Sequence, residues 1–167
     1  MRVYVPATTT VLHRLLAEGR LEQPLTAFAV TPELREHYPL SDTDEELEYA
    51  ALLAAARASL RLIDVDLAAA RRRVVLAADV PDEAVHPIDD DAADPGAARV
   101  RVDVSLADVA SVHLDLAEAE QDVRAAVGVV LEADLGSEDA QFVVDQAEGH
   151  ELAWYATQEI GPALELL

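Results

Sequence analysis

Cysteine, lysine and asparagine are absent from this chain of 167 residues, methionine and tryptophan occur once each, and aromatic residues make up only 4%. Without cysteine there is no disulfide, no thiolate metal site and no cysteine nucleophile, which fits a reducing cytoplasm. Without lysine a phosphate-binding P-loop cannot be written, and Schiff-base and kinase chemistry lose the residue they depend on. Six glycines offer no dinucleotide-binding fingerprint, and no Gly-x-Ser-x-Gly is present. The longest uninterrupted apolar run, Ala50 to Ala56, is far short of the roughly 20 residues a membrane-spanning helix needs. The opening Met1-Arg2-Val3-Tyr4-Val5-Pro6 reads as the start of a strand rather than as a secretory signal. These absences point to a soluble, cytoplasmic protein with no cofactor.

Positive charge is scarce too. Twelve basic residues, all Arg, face 33 carboxylates, a net charge of −21. Such a chain repels nucleic-acid phosphate and anionic lipid, and Arg71-Arg72-Arg73 is too short a basic run to reverse that. No direct nucleic-acid partner and no membrane partner are expected. Lys and Asn share A-rich codons, so their joint absence beside abundant Ala, Val, Asp and Arg points to a GC-rich genome. A halophilic origin, in which salt screens the repulsion, is the alternative. The length suits one domain over residues 1–167, burying roughly 70% of its unfolded surface. With 51% hydrophobic residues but few rings, the core is expected to be built from Val and Leu, anchored by Phe28, Phe142, Trp154 and the four tyrosines.

Along the chain, Arg2 to Val5 alternates as a strand, Thr8 to Thr10 cap a helix carrying Val11, Leu12, Leu15 and Leu16, and Gly19 closes it. Leu25 to Val30 reads as a strand, and Pro32 opens a single helical turn. Ser41 to Glu46 gathers capping residues and carboxylates ahead of a long helix from about Asp44 to Ile63, apolar nearly all round and therefore expected to be the most buried. Val74 to Ala78 reads as a strand buried on both faces. Residues 81–98, with three prolines and Asp89-Asp90-Asp91, read as a flexible acidic loop.

Arg99 to Val104 alternates strictly and is expected to be a half-buried strand, followed by a turn at Ser105 to Asp108 and a strand at Ala110 to Leu114. Asp115 and Glu118 signal a helix running to Leu131 and closing near Gly136; Ser137 caps another ending at Gly149. Glu151 to Thr157 reads as a last strand, although a helix fits nearly as well. The mixture predicts an α+β domain, helices packed on a mixed or antiparallel sheet of about five to six strands.

Residues able to carry chemistry are few. His113 and Asp115 stand two apart at a strand end, so both point to one face where they could share a divalent cation, with Asp79 or Asp103 completing the set. The plainer alternative makes Asp115 a helix cap and His113 a half-buried strand residue. Glu148, His150 and Glu151 form a second cluster, and His86 with Asp89, Asp90, Asp91 and Asp94 resembles a cation loop in composition only, since the register of an EF-hand is missing. Alternation turns Trp154 and Tyr155 to opposite sheet faces, one of them able to serve a partner surface. Arg57 and Arg61, one turn apart, are expected to meet Glu of another element, a structural role rather than an anion site.

The segments Arg2-Val3-Tyr4-Val5-Pro6-Ala7-Thr8, Thr26-Ala27-Phe28-Ala29-Val30-Thr31-Pro32, Glu45-Glu46-Leu47-Glu48-Tyr49-Ala50-Ala51 and Trp154-Tyr155 resemble an uncharacterised actinobacterial family of short, acidic cytosolic proteins with a domain of unknown function. The resemblance implies a GC-rich bacterial origin and carries no activity, cofactor or catalytic residue. Three functions stay open on these grounds. The first is a non-catalytic protein-interaction or regulatory domain, acting on a protein partner or as a homo-oligomer. The others are a small metal-dependent hydrolase built on His113 and Asp115, and an acidic mimic of nucleic acid, which would need a ridge of carboxylates on one face.

Overall fold

Period-two alternation in two adjacent strands divides the interior into two layers. The structure, a computed structural model, describes residues 1–41 and 43–167, so Asp42 in the expected capping stretch lies outside the described residues. Strand β1 (Arg2–Ala7) pairs antiparallel with β4 (Val74–Asp79) in the register Val3↔Ala78, Val5↔Leu76, Ala7↔Val74. Those six side chains share one face and pack against Leu12 and Leu15 of α1 (Thr9–Glu18) and Ile160 and Leu164 of α7 (Ile160–Glu165). The intervening Tyr4, Val75 and Ala77 turn the other way, onto Leu47, Ala51, Ala55 and Ala56 of α3 (Asp44–Asp64). As expected, β4 is buried on both faces as far as Asp79.

Around this pair the sheet extends to seven strands, all antiparallel, in the order β5-β6-β3-β1-β4-β8-β9. The remaining members are β3 (Leu25–Phe28), β5 (Val85–Pro87), β6 (Ala97–Val100), β8 (Val109–Leu114) and β9 (Ala153–Ala156). A separate two-stranded sheet joins β2 (Arg20–Leu21) to β7 (Val104–Ser105). Helix α2 (Pro32–His37) follows β3, with Thr31 accepting from the Leu34 amide and Pro32 in the first turn. On the outer side of α3, Leu60 and Ile63 form a third cluster with Val123 and Ala126 of α4 (Glu120–Val127), Val130 of α5 (Val130–Asp134) and Val144 and Ala147 of α6 (Glu138–Glu148). The class is α+β, with more strands than the five to six expected. Among the described residues no helix is long and apolar enough to cross a membrane.

Several local expectations meet a different outcome for reasons of long-range pairing. The stretch 81–98 is not one loop: a 3-10 turn at Asp82–Ala84 leads into edge strand β5, and β6 already begins at Ala97. The alternating run 99–104 is cut, its first half pairing with β3 and β5 and its end with β2. The helix expected from Asp115 to Leu131 is a 3-10 turn at Ala117–Ala119 followed by α4 and α5, interrupted near Gly128. Strand β2 and helix α7 have no counterpart in the sequence reading.

Aromatic anchoring fails most clearly. Phe28 and Tyr4 are buried, but Phe142, Trp154, Tyr38 and Tyr49 are exposed. The two buried rings pack in one cluster with Ala51, Ala55 and Ala56 of α3, whose small side chains leave room for them, whereas the other four stand on solvent-facing sides of their elements. Nor is α3 buried all round, because Tyr49, Leu53 and Leu62 face outward.

A candidate docking cleft along helix α3

Tyr49, Leu53 and Arg57 follow one another at intervals of four, as do Glu46, Ala50 and Ala54 beside them, so helical geometry lays these six on a stripe that flanks the core-facing Leu47, Ala51 and Ala55, with Ala50 and Ala54 on its inner side. The stripe floors a cleft of about 660 Å³. Its other wall comes from α2 and the residues after it, Leu34, His37, Tyr38 and Ser41, and from Asp94 and Pro95. Tyr49 is 53% exposed, and Leu53 and Tyr38 are each 44% exposed. The Tyr38 ring meets His37 edge-on at 4.8 Å between centroids.

The wall is held by backbone. Gly96 accepts from the Ala29 amide at 2.9 Å and has φ +87°, and a Cβ there would stand 2.9 Å from the Ala29 carbonyl oxygen. A residue without a side chain is therefore required, and it fixes Asp94 and Pro95 against the end of β3.

The cleft's cations are already engaged. Arg57 donates to Asp134 at 3.3 and 3.2 Å, to Glu148 at 3.1 Å and to Gln141 at 2.9 Å. Arg61, one turn on, forks onto Asp134 at 2.7 and 2.9 Å and reaches Asp94 at 3.5 Å. Hydrogen bonding from Arg61 holds the Asp134 carboxyl below its ordinary range. Both arginines serve as struts, Arg57 reaching a Glu as expected and Arg61 meeting aspartates instead, and among the described residues no arginine that lines the cleft is left without a carboxylate.

Two further hollows adjoin. One of about 340 Å³ shares His37, Asp94 and Pro95 and is lined by Glu33, Glu36, Asp89, Asp90 and Asp91. Another of about 320 Å³ lies beyond Tyr49 and Leu53, against Gly149, His150 and Leu152.

His113 and Asp115 share a sheet face as their spacing implies, yet they have different partners. His113 is half-buried, Nε2 lies 3.2 Å from Ser111 Oγ, and burial, then the Arg2 charge, pushes its pKa down. Asp115 is buried and does not cap a helix. Its Oδ2 accepts from the Arg73 backbone amide and Nε, and Oδ1 from Nη2, all at 2.8 Å. Arg73 Nη2 also donates to the His150 carbonyl at 2.9 Å. Asp79 pairs with Arg2 at 2.7 Å, and Asp103 accepts from the Gln23 amide.

The second cluster is split likewise, Glu148 going to Arg57 while His150 Nε2 lies 2.7 Å from Asp122. In the acidic loop, Asp90 accepts from the Ala92 amide. No three His, Asp or Glu side chains stand together as metal ligands among the described residues.

Trp154 and Tyr155 do turn to opposite faces. Tyr155, opposite Val112, packs on the α1 and α7 layer, whereas Trp154, opposite His113, is 61% exposed. The residues that sequence reasoning missed are Tyr38, Tyr49 and Leu53. The interval of four from Tyr49 to Arg57 is the available signal, concealed inside an Ala-rich run whose composition suggests burial on every side.

The chain belongs to the family described as "Family of unknown function (DUF6912)", whose model matches residues 1–164. No curated protein and no solved structure matches it.

Proposed function

We propose that this member of a family of unknown function is a non-catalytic, cytosolic protein-interaction domain that receives a partner protein in the cleft along α3. One observation carries the reading: two tyrosine rings and a leucine stand exposed together in a concave, mostly apolar site whose walls are pinned by backbone contacts. Exposed rings grouped in a cleft are the usual anchors of a protein interface. Trp154 and Leu152, two apart on β9 and its approach, would extend that surface on the same side of the sheet, with Tyr155 acting from beneath as packing. A chain without cysteine is at home in a reducing cytoplasm.

The alternatives have less support. Both oxygens of Asp115 are taken by Arg73, which leaves His113 without the carboxylate a metal-dependent hydrolase would need beside it. Carboxylates lie on all the helices from α1 to α7 rather than along one ridge, against nucleic-acid mimicry. A second copy would bring another −21 onto an acidic cleft, so the partner is a different protein.

The test is a photo-crosslinking amino acid placed at position 49, 53 or 67 in cells that make the protein. Leu67 is 88% exposed and lies beyond the end of α3, away from the cleft-lining residues. A discrete adduct from positions 49 and 53 but not from 67 supports the cleft. No adduct, or the same adducts from all three, overturns it.

A further inference from the structure

We infer that the segment docking in this cleft is basic: an apolar side chain sits among Tyr38, Tyr49 and Leu53, and neighbouring Arg or Lys residues run over Glu33, Glu36 and Asp89 to Asp91. The inference rests on the docking reading above and adds the partner's chemistry to it. Its starting point is continuity, since the apolar cleft opens into the acidic hollow through their shared His37, Asp94 and Pro95.

Some carboxylates of the molecule are drawn to arginine, as Asp79 is to Arg2 and Asp134 to Arg57 and Arg61, although with 33 carboxylates against twelve arginines many stand without one. In the hollow, Glu33, Glu36, Asp89, Asp90 and Asp91 have no such partner among the described residues, and only Asp94 reaches one, Arg61 at 3.5 Å. Five carboxylates bordering one groove without counter-charge repel one another, and an arriving cation relieves that repulsion. The apolar end adds the complementary preference, because tyrosine faces receive both apolar side chains and guanidinium planes. Glu46 adds a further carboxylate to the cleft lining, while Glu148 and Arg57 neutralise one another. The field of a −21 molecule steers the same class of partner and turns away phosphate, anionic lipid and a second copy of the chain.

A displayed library of random twelve-residue peptides, selected on the wild-type protein and counter-selected on Leu53→Asp, tests this. Enriched peptides are resynthesised and their affinities measured by fluorescence anisotropy. The second variant carries Glu33→Gln, Glu36→Gln, Asp89→Asn, Asp90→Asn and Asp91→Asn. All five replaced side chains are exposed, and the Asp90→Asn change retains a side-chain oxygen for the Ala92 amide. Unfolding midpoints confirm that both variants are folded.

The expected result is enrichment of an apolar or aromatic residue flanked by Arg or Lys. Affinity should fall about tenfold or more on the neutralised variant at low salt, a difference that shrinks near 1 M salt, where the Debye length is about 3 Å. Uncharged or acidic peptides that lose binding to Leu53→Asp but keep it on the neutralised variant would overturn the basic partner and leave the docking cleft standing. Enrichment of nothing that distinguishes the wild type from Leu53→Asp would overturn both.

Discussion

Arg73 and Asp115 form the most consequential side-chain pair in the molecule, each 1% exposed and joined by three hydrogen bonds of 2.8 Å. A buried pair contributes little beyond what an apolar substitute would, but removing one member strands the other's charge. Asp115→Ala is therefore expected to cost about 3–5 kcal/mol in urea unfolding, and Arg73→Met with Asp115→Leu considerably less. Equal losses for the single and double variants would mean that packing, not charge, holds this corner. His113 provides a pH signature at the same scale. Burial lowers its folded pKa below the ordinary 6.5, so the unfolded chain binds the proton more readily and stability is lost as pH falls through 6.5 towards the lower folded value. Unfolding free energies of wild type and His113→Gln at pH 7.5 and 5.5 should diverge, the variant losing less on acidification; parallel losses would refute the assignment. The half-buried strand position of His113 was legible in the sequence, but the Arg73 partner of Asp115 was not, because spacing reports which face a side chain takes and not which distant cation waits there.

At the level of elements, one serine ties three of them together. Ser59 of α3 donates to the Ala7 carbonyl at 2.7 Å and accepts from the Val74 amide at 3.0 Å, at the Ala7↔Val74 end of the β1–β4 ladder. Ala7, Ser59 and Val74 are all 0% exposed, so no water replaces the hydroxyl. Ser59→Ala leaves two buried backbone groups unpaired, at about 1–3 kcal/mol each. Chemical denaturation should show a loss of about 2 kcal/mol or more, and hydrogen exchange a faster Val74 amide; a change within about 0.5 kcal/mol would deny the bridge. From the sequence this serine was only a polar residue in a helix. What could be read there was local: Thr8 and Gly19 bracket α1, Pro32 opens α2, and Ser137 caps α6, each as expected. Cap chemistry needs only neighbours in the chain. The division of 99–104 between two sheets, and the edge strand hidden among the prolines near Val85, depend on partners up to some eighty residues away, which no local pattern carries.

For the molecule as a whole, charge acts on stability and association with opposite signs. Thirty-three carboxylates against twelve arginines repel one another in the folded state more than in the expanded chain. Exposed pairs such as Arg35 with Asp44 return about 0–1 kcal/mol each and cannot balance an excess of twenty-one. Raising NaCl from about 0.01 M to 1 M shortens the Debye length from about 30 Å to 3 Å and relieves the repulsion. Each kcal/mol so recovered should raise the thermal midpoint by about 2–4 °C for a chain of this size. A midpoint that stays level or falls would mean that the arginine struts on Asp134 outweigh the net repulsion. The same screening removes the attraction that brings a basic segment to Glu33, Glu36 and Asp89 to Asp91, so its association rate should drop as the fold becomes more stable. Both responses arise from one field: a rising midpoint with an unchanged association rate would show that the excess charge stabilises nothing at the cleft and serves the molecule only as a surface property.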